Sequence, residues 1–242
     1  MKDVKARPAV TIVGSVLLIA LVLGAVVWLR ASKESDAERA MAAMIPSKLK
    51  AAQAHKPSAG VRAAVGAKLA AAALQQTARP VAYDASYVRL DYPGGDVPQE
   101  RGVCSDVIVR AYRQVGLDLQ KLVHEDMSRN FAVYPHLWGA GGPDPNIDHR
   151  RVPNLMTFFQ RRGSALPVTA KVADYRPGDV VAWDLGSGRT HIGLVVWPKA
   201  AGNRPLVVHN IGPGPKAEDV LFAWKLIGHY RYPASSNASV AR

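Results

Sequence analysis

Cys104 is the only cysteine in the chain. A lone thiol forms no disulfide within the chain and fills no Cys-rich metal site. Its surroundings, Gly102-Val103-Cys104-Ser105-Asp106, place it at the start of an expected helix. A helix start offers unpaired N–H groups and the positive end of the dipole, both of which favour thiolate over thiol. That is what a nucleophilic cysteine requires. The competing reading is a buried, inert cysteine, a common fate of a free thiol.

A cysteine nucleophile needs a base within reach and a third group that orients the base. His191 follows the turn Gly186-Ser187-Gly188 and opens the apolar run HIGLVV. His209 ends the next run, LVVHN. If the two runs pair as antiparallel strands, the end of the second returns to the start of the first and brings His209 to His191. Adjacent strand residues face opposite ways, so Asn210 is the alternative third group.

Other polar residues suggest a cleft. Asp126, Asp148, Arg150 and Arg151, together with Asp144 and Asn146, are expected to shape a substrate site around the polar loop 139–151. A planar guanidinium matches a carboxylate bidentately, which suits Arg150 and Arg151 to an acidic substrate. The alternative is that these residues only pin the loop by hydrogen bonds. The acid–histidine runs His124-Glu125-Asp126 and Asp148-His149 lack helical ligand spacing, so no metal is expected, and no cofactor. Trp138, Trp183, Trp197 and Trp224 read as core or rim aromatics.

The elements that must position these groups form a helix-then-strand pattern. Residues 104–115 carry Val107, Ile108, Ala111, Tyr112 and Val115 at helical spacing, ended by Gly116. Residues 152–162 predict a second short helix. Residues 180–183, 192–197 and 206–209 are short, β-branched and bounded by turn residues, which predicts strands; 226–232 predicts a closing one. The fold class is α+β.

The order of these pieces resembles the NlpC/P60 superfamily of papain-like cysteine peptidases. The matching strings are GVCSDVIVRAYRQVG, RPGDVVAW and HIGLVV. Val103 stands where that family has Asp before the cysteine, and Asp106 stands where it has Gly. A longer likeness spans residues 83–232. The strings VHEDM, DPNIDHRRVPNL, RPGDVVAWDL, HIGLVV, HNIG and GHYRY resemble the YijF-like family 1287 of bacterial domains of unknown function, itself similar to NlpC/P60 proteins. The resemblance implies a helix bearing the cysteine packed on a small antiparallel sheet. It also implies Cys104 as nucleophile, His191 as base and His209 as third member, in an exported or envelope-associated protein.

The rest of the chain bears on location. Residues 9–29 are uncharged and apolar, long enough to cross a hydrocarbon core as a helix. Lys2, Lys5 and Arg7 precede them, which keeps the short N-terminus cytoplasmic. A cleaved signal peptide is the alternative, although the run exceeds the usual apolar region of such peptides. The expected organisation is therefore a tip and transmembrane signal anchor over 1–30, an Ala-rich basic linker or stalk over 31–82, the catalytic domain over 83–235 and a disordered tail over 236–242. The formal net charge is +12, but residues 83–242 hold nineteen basic and fifteen acidic residues. Most of the excess thus lies outside the domain, which fits attraction to anionic lipid and argues against a nucleic-acid partner.

These readings point to an inner-membrane protein with its catalytic domain in the periplasm. The expected activity is a thiol hydrolase of amide bonds, with the peptides of peptidoglycan as substrate by family analogy. Two alternatives stand beside it: a lipid acyl hydrolase or acyltransferase on the same fold, and a non-catalytic envelope-binding module.

Overall fold

The computed structural model describes residues 59–198, 202 and 204–233. The apolar run 9–29, most of the Ala-rich segment and the tail 236–242 lie outside the described residues. In chain order the elements are helix α1 (Ala59–Gln76), strands β1 (Ala82–Tyr83) and β2 (Arg101–Gly102), helices α2 (Cys104–Arg113), α3 (Leu119–Asn130) and α4 (Val152–Arg161), and strands β3 (Val180–Asp184), β4 (Thr190–Val196), β5 (Leu206–His209), β6 (Lys216–Glu218) and β7 (Lys225–Tyr230). β1 and β2 form a short parallel pair. The other five form one antiparallel sheet in the order β6-β5-β4-β3-β7.

The sheet is covered on both faces, and strand alternation sorts the side chains between them. Ile192, Leu194, Val196, Val180, Ala182 and Val208 turn toward the helices, where they meet Val107, Ile108, Leu155 and Phe158. Val181, Trp183, Val195 and Val207 turn the other way and pack with Tyr175 and Leu221. Each fully buried large apolar side chain contributes about 2 kcal/mol. α2 is amphipathic as expected, with Val107, Ile108, Ala111 and Tyr112 all buried. α4 begins with Pro153 in its first turn, where the missing N–H costs nothing, and buries Leu155, Phe158 and Phe159. The sequence reading did not single out α3, whose N-cap Asp118 accepts from the Gln120 N–H.

α1 differs from the expectation of a stalk that ends at residue 82. Leu69, Ala70, Ala72 and Ala73 are buried in the same core as α2 and β4. Its few large side chains are compensated by close approach: a Cβ on Gly66 would stand 2.4 Å from the Pro177 carbonyl oxygen, so glycine alone fits. The Gln76 amide also donates to the Val107 carbonyl of α2 at 3.0 Å. The folded unit therefore includes α1, ahead of the expected boundary at 83. Gly193 is a second position that requires the absence of a side chain. A Cβ there would meet the Trp183 indole at 3.1 Å and a Val207 methyl at 2.6 Å. Its absence lets the indole lie across β4, beside His191.

Candidate active site

Cys104 is the first residue of α2. Val103, the N-cap residue, has no side chain able to accept a hydrogen bond, and Asp106 supplies the capping instead: its Oδ2 accepts from the Val103 N–H at 2.7 Å. The same carboxylate holds the buried Arg150, with Nε to Oδ1 at 3.0 Å and Nη2 to Oδ2 at 3.1 Å. The Ser105 hydroxyl donates to the Arg150 carbonyl at 2.7 Å. The start of α2 is thus clamped to the end of the 139–151 loop. The departure from the family pattern at position 106 is a structural joint.

β4 determines what faces the thiol. The Val195 N–H donates to the Asp179 carbonyl on the β3 side. Strand amides alternate, so the Ile192 N–H points to the β5 side. β5 ends at His209, before it would reach that amide. The Cys104 sulfur lies near the free position, where the Ile192 N–H, with those of Ser105 and Cys104 itself, favours the thiolate. One residue back along β4, His191 turns its ring to the opposite face and lies against Trp183 with centroids 5.7 Å apart. The thiol and the His191 ring therefore belong to two faces of the sheet, and no hydrogen bond joins them.

The expected histidine closure is present. His191 Nε2 and His209 Nδ1 are 2.8 Å apart, and both rings are almost wholly buried. Asn210, the alternative, faces the other way and donates to the Gly102 carbonyl at 3.1 Å, tying the end of β5 to the segment before Cys104. On the far side of His209, the Glu218 carboxylate of β6 lies 2.9 Å from Nε2, an ion-pair distance that lacks the alignment of a hydrogen bond.

The electrostatics differ from the expectation of a helix-lowered thiol. Burial pushes Cys104 up to about 11, outweighing the three N–H groups that favour the thiolate. Burial, with His209 second, pulls His191 down to about 3. The resting pair is a neutral thiol and a neutral imidazole. His149, also buried, is likewise held down to about 3, by burial and then by Arg113. Both imidazoles stay neutral when folded and take up protons when unfolded below their ordinary value of 6.5. Unfolding then binds more protons, so stability falls as pH drops from about 6.5 toward 3, by up to about 1.4 kcal/mol per pH unit for each. The urea midpoint is expected to fall steadily between pH 6.5 and 4; a flat midpoint would show that these rings are not held neutral.

The cleft beside the thiol has a volume of about 390 Å³ and is lined by Tyr83, Tyr87, Val103, Cys104, Trp138, Arg150, Arg151 and Thr190, among others. Among the four residues expected to bind substrate, Arg151 keeps its guanidinium least committed: it stacks over the exposed Trp138 ring at 4.8 Å, with one long bond to the Leu137 carbonyl. Arg150 borders the cleft, but its guanidinium is taken by Asp106 and the carbonyls of Asp84 and Ser86. Asp126 and Asp148 are not brought to the cleft. Asp126 clamps α3 to α4 through Arg161 at 2.7 Å and Arg162 at 3.4 Å, and accepts the Tyr134 hydroxyl. Asp148 accepts from His124 Nδ1 at 2.9 Å and the Asp144 N–H at 2.8 Å, which pins the loop. Asp144 and Asn146 hold the Tyr87 hydroxyl, and with it one wall of the cleft. Among the described residues no group of three His, Cys, Asp or Glu is gathered for a metal ion.

The sequence reading missed Glu218, Tyr83, Tyr87 and Thr190. β6 has three residues, too few for periodicity to mark, and nothing local signals that Glu218 faces a buried histidine.

A helix that begins at the cysteine, packed on a small antiparallel sheet that carries a buried histidine pair, defines an α+β domain. Residues 70–232 match the family described as "Domain of unknown function (DUF1287)". The chain is also 54% identical over 172 residues to the "Uncharacterized protein YijF" of Escherichia coli (strain K12), a match that covers 71% of this chain and 84% of that protein. The chain belongs to the DUF1287 family.

Proposed function

We propose that this chain is a thiol hydrolase of the cell envelope that cleaves amide bonds in the peptides of peptidoglycan. The observation that carries this reading is the buried histidine pair, His191 Nε2 to His209 Nδ1 at 2.8 Å, on the strand whose next residue, Ile192, lies against Cys104. His191 Nε2 is engaged by His209, so Nδ1 is the nitrogen that takes the thiol proton. Because burial keeps both partners neutral, the proton moves as sulfur attacks the carbonyl carbon. The imidazolium then returns that proton to the leaving amine. Water, deprotonated by the same nitrogen, cleaves the thioester and regenerates the thiol. The Cys104 N–H, at the start of α2, is available to the carbonyl oxygen as it gains charge.

The cleft favours a peptide over a lipid. Its walls beside Cys104 carry tyrosine, tryptophan, threonine and arginine among the apolar Val103, Ile147, Val152 and Pro153. The more apolar groove of the molecule, about 460 Å³ between α1 and Pro177-Gly178, is not lined by Cys104. A binding module on the same fold would have no use for a buried pair of histidines bonded to each other. Among the described residues no helix is long and apolar enough to cross a membrane. The proposed tether is the apolar run 9–29, which would place the domain in the periplasm.

The test is to incubate the full-length chain with purified peptidoglycan and, separately, with phospholipid vesicles, and to read products by mass spectrometry. Peptide fragments from the first are expected; fatty acid release from the second alone would move the reading to acyl chemistry, and no product from either would favour the binding module. Within the amidase reading Arg151 holds a substrate carboxylate. Arg151→Ala is expected to raise KM about tenfold with kcat little changed, the mark of lost uniform binding. Arg151→Lys restores the charge but not the planar fork, and recovers only part of the loss. An unchanged KM in Arg151→Ala would remove Arg151 from the site.

A further inference from the structure

The two histidines can share one proton between Nε2 of His191 and Nδ1 of His209 in either direction. Only one direction leaves His191 Nδ1 without a proton. In that arrangement His191 carries its proton on Nε2 and donates to His209 Nδ1. His209 must then carry its own proton on Nε2, because a neutral imidazole has one N–H. A proton on His209 Nε2 needs an acceptor, and this nitrogen is buried with no aligned hydrogen-bond partner. Among the described residues, the one carboxylate placed against it is Glu218, at 2.9 Å. The register explains its arrival: β6 pairs with β5 through Val207 and Glu218, while Lys216 stands opposite His209.

We propose that Glu218 is a positioning residue of this site: its carboxylate holds the proton of His209 on Nε2, and thereby keeps Nδ1 of His191 free to accept the thiol proton. The proposal rests on His191 being the base of the proposed reaction. The Glu218 side chain is 42% exposed while His209 is buried, so the carboxylate stays hydrated on one side and acts on the ring from the other. Burial pushes His209 toward the neutral form, and Glu218 acts against that while Lys216 reinforces it. Glu218 touches neither the thiol nor the cleft, so its effect passes through His209 alone.

The test labels the histidines of the full-length chain with nitrogen-15 and reads the ring-nitrogen shifts, assigned by their loss in His191→Asn and His209→Asn. In the wild type both rings are expected to carry the proton on Nε2. Glu218→Ala is expected to shift His209, and with it His191, toward the Nδ1–H form, and to slow release of peptidoglycan fragments on the order of tenfold, less than the roughly 10²–10⁴-fold of a whole general base because only its tautomer is biased. Glu218→Gln keeps an acceptor oxygen and is expected to restore the tautomers and most of the rate. A wild-type His191 protonated on Nδ1, or tautomers unmoved in Glu218→Ala, would overturn the proposal whatever the fragments show. Tautomers that move as expected in a protein that releases no fragments would uphold the role of Glu218 and defeat only the hydrolase reading.

Discussion

Cys104→Ala is expected to abolish fragment release from peptidoglycan, by on the order of 10⁴-fold or more, while the chain keeps its fold. Removing a nucleophile from a cooperating set costs as much as removing the whole set, because the base and orienting group have nothing left to act on. The structural cost is small. Cys104 is 5% exposed, and among the described residues its sulfur is the acceptor of no side-chain hydrogen bond that the fold depends on. Losing one sulfur there costs about 1 kcal/mol, well within what a domain of this size tolerates. Activity measured beside a circular dichroism melt separates the two. Activity retained in Cys104→Ala, with the melt unchanged, would remove the thiol from the chemistry.

Arg150→Ala is expected to destabilise the domain by about 3–5 kcal/mol, the cost of leaving a buried charge without its partner. The Arg150 and Asp106 side chains are 2% and 3% exposed and bonded in parallel. The guanidinium also bonds the carbonyls of Asp84 and Ser86, so its loss frees both the start of α2 and the segment after β1. Asp106→Ala is expected to cost at least as much, since the N-cap bond to Val103 goes with it. Denaturant titration checks both. A loss below about 1 kcal/mol in each would put the pair among ordinary surface bridges and contradict the clamp described here.

These two results separate what could be read from the sequence from what could not. The helix at Cys104 and the strands at His191 and His209 were legible because their apolar periods are strong and their turns are punctuated by glycine. The pairing of the two histidines followed from hairpin geometry alone, and strand alternation then decides between His209 and Asn210. Arg150 was legible as a cation in a polar loop but not as the partner of Asp106. An arginine that faces a substrate and one that faces its own chain look alike until the fold closes. The same holds for Asp126 and Asp148, whose partners Arg161 and His124 lie far along the chain. α1 was illegible as core because it packs through Gly66 and alanines, where proximity of backbones replaces large side chains. The thiol's acidity could not be read locally either: the helix start lowers it, but burial, a property of the whole fold, raises it more.

In the proposed reaction Cys104 forms a covalent bond to the acyl half of a cleaved amide. The most direct measurement is the mass of the intact full-length chain, mixed with peptidoglycan stem peptides and quenched in acid during turnover. An added mass equal to the acyl fragment is expected, carried on the proteolytic peptide that contains Cys104 and removed by neutral hydroxylamine as a thioester should be. Fragments released with no adduct on Cys104 at any quench time, and undiminished in Cys104→Ala, would contradict it.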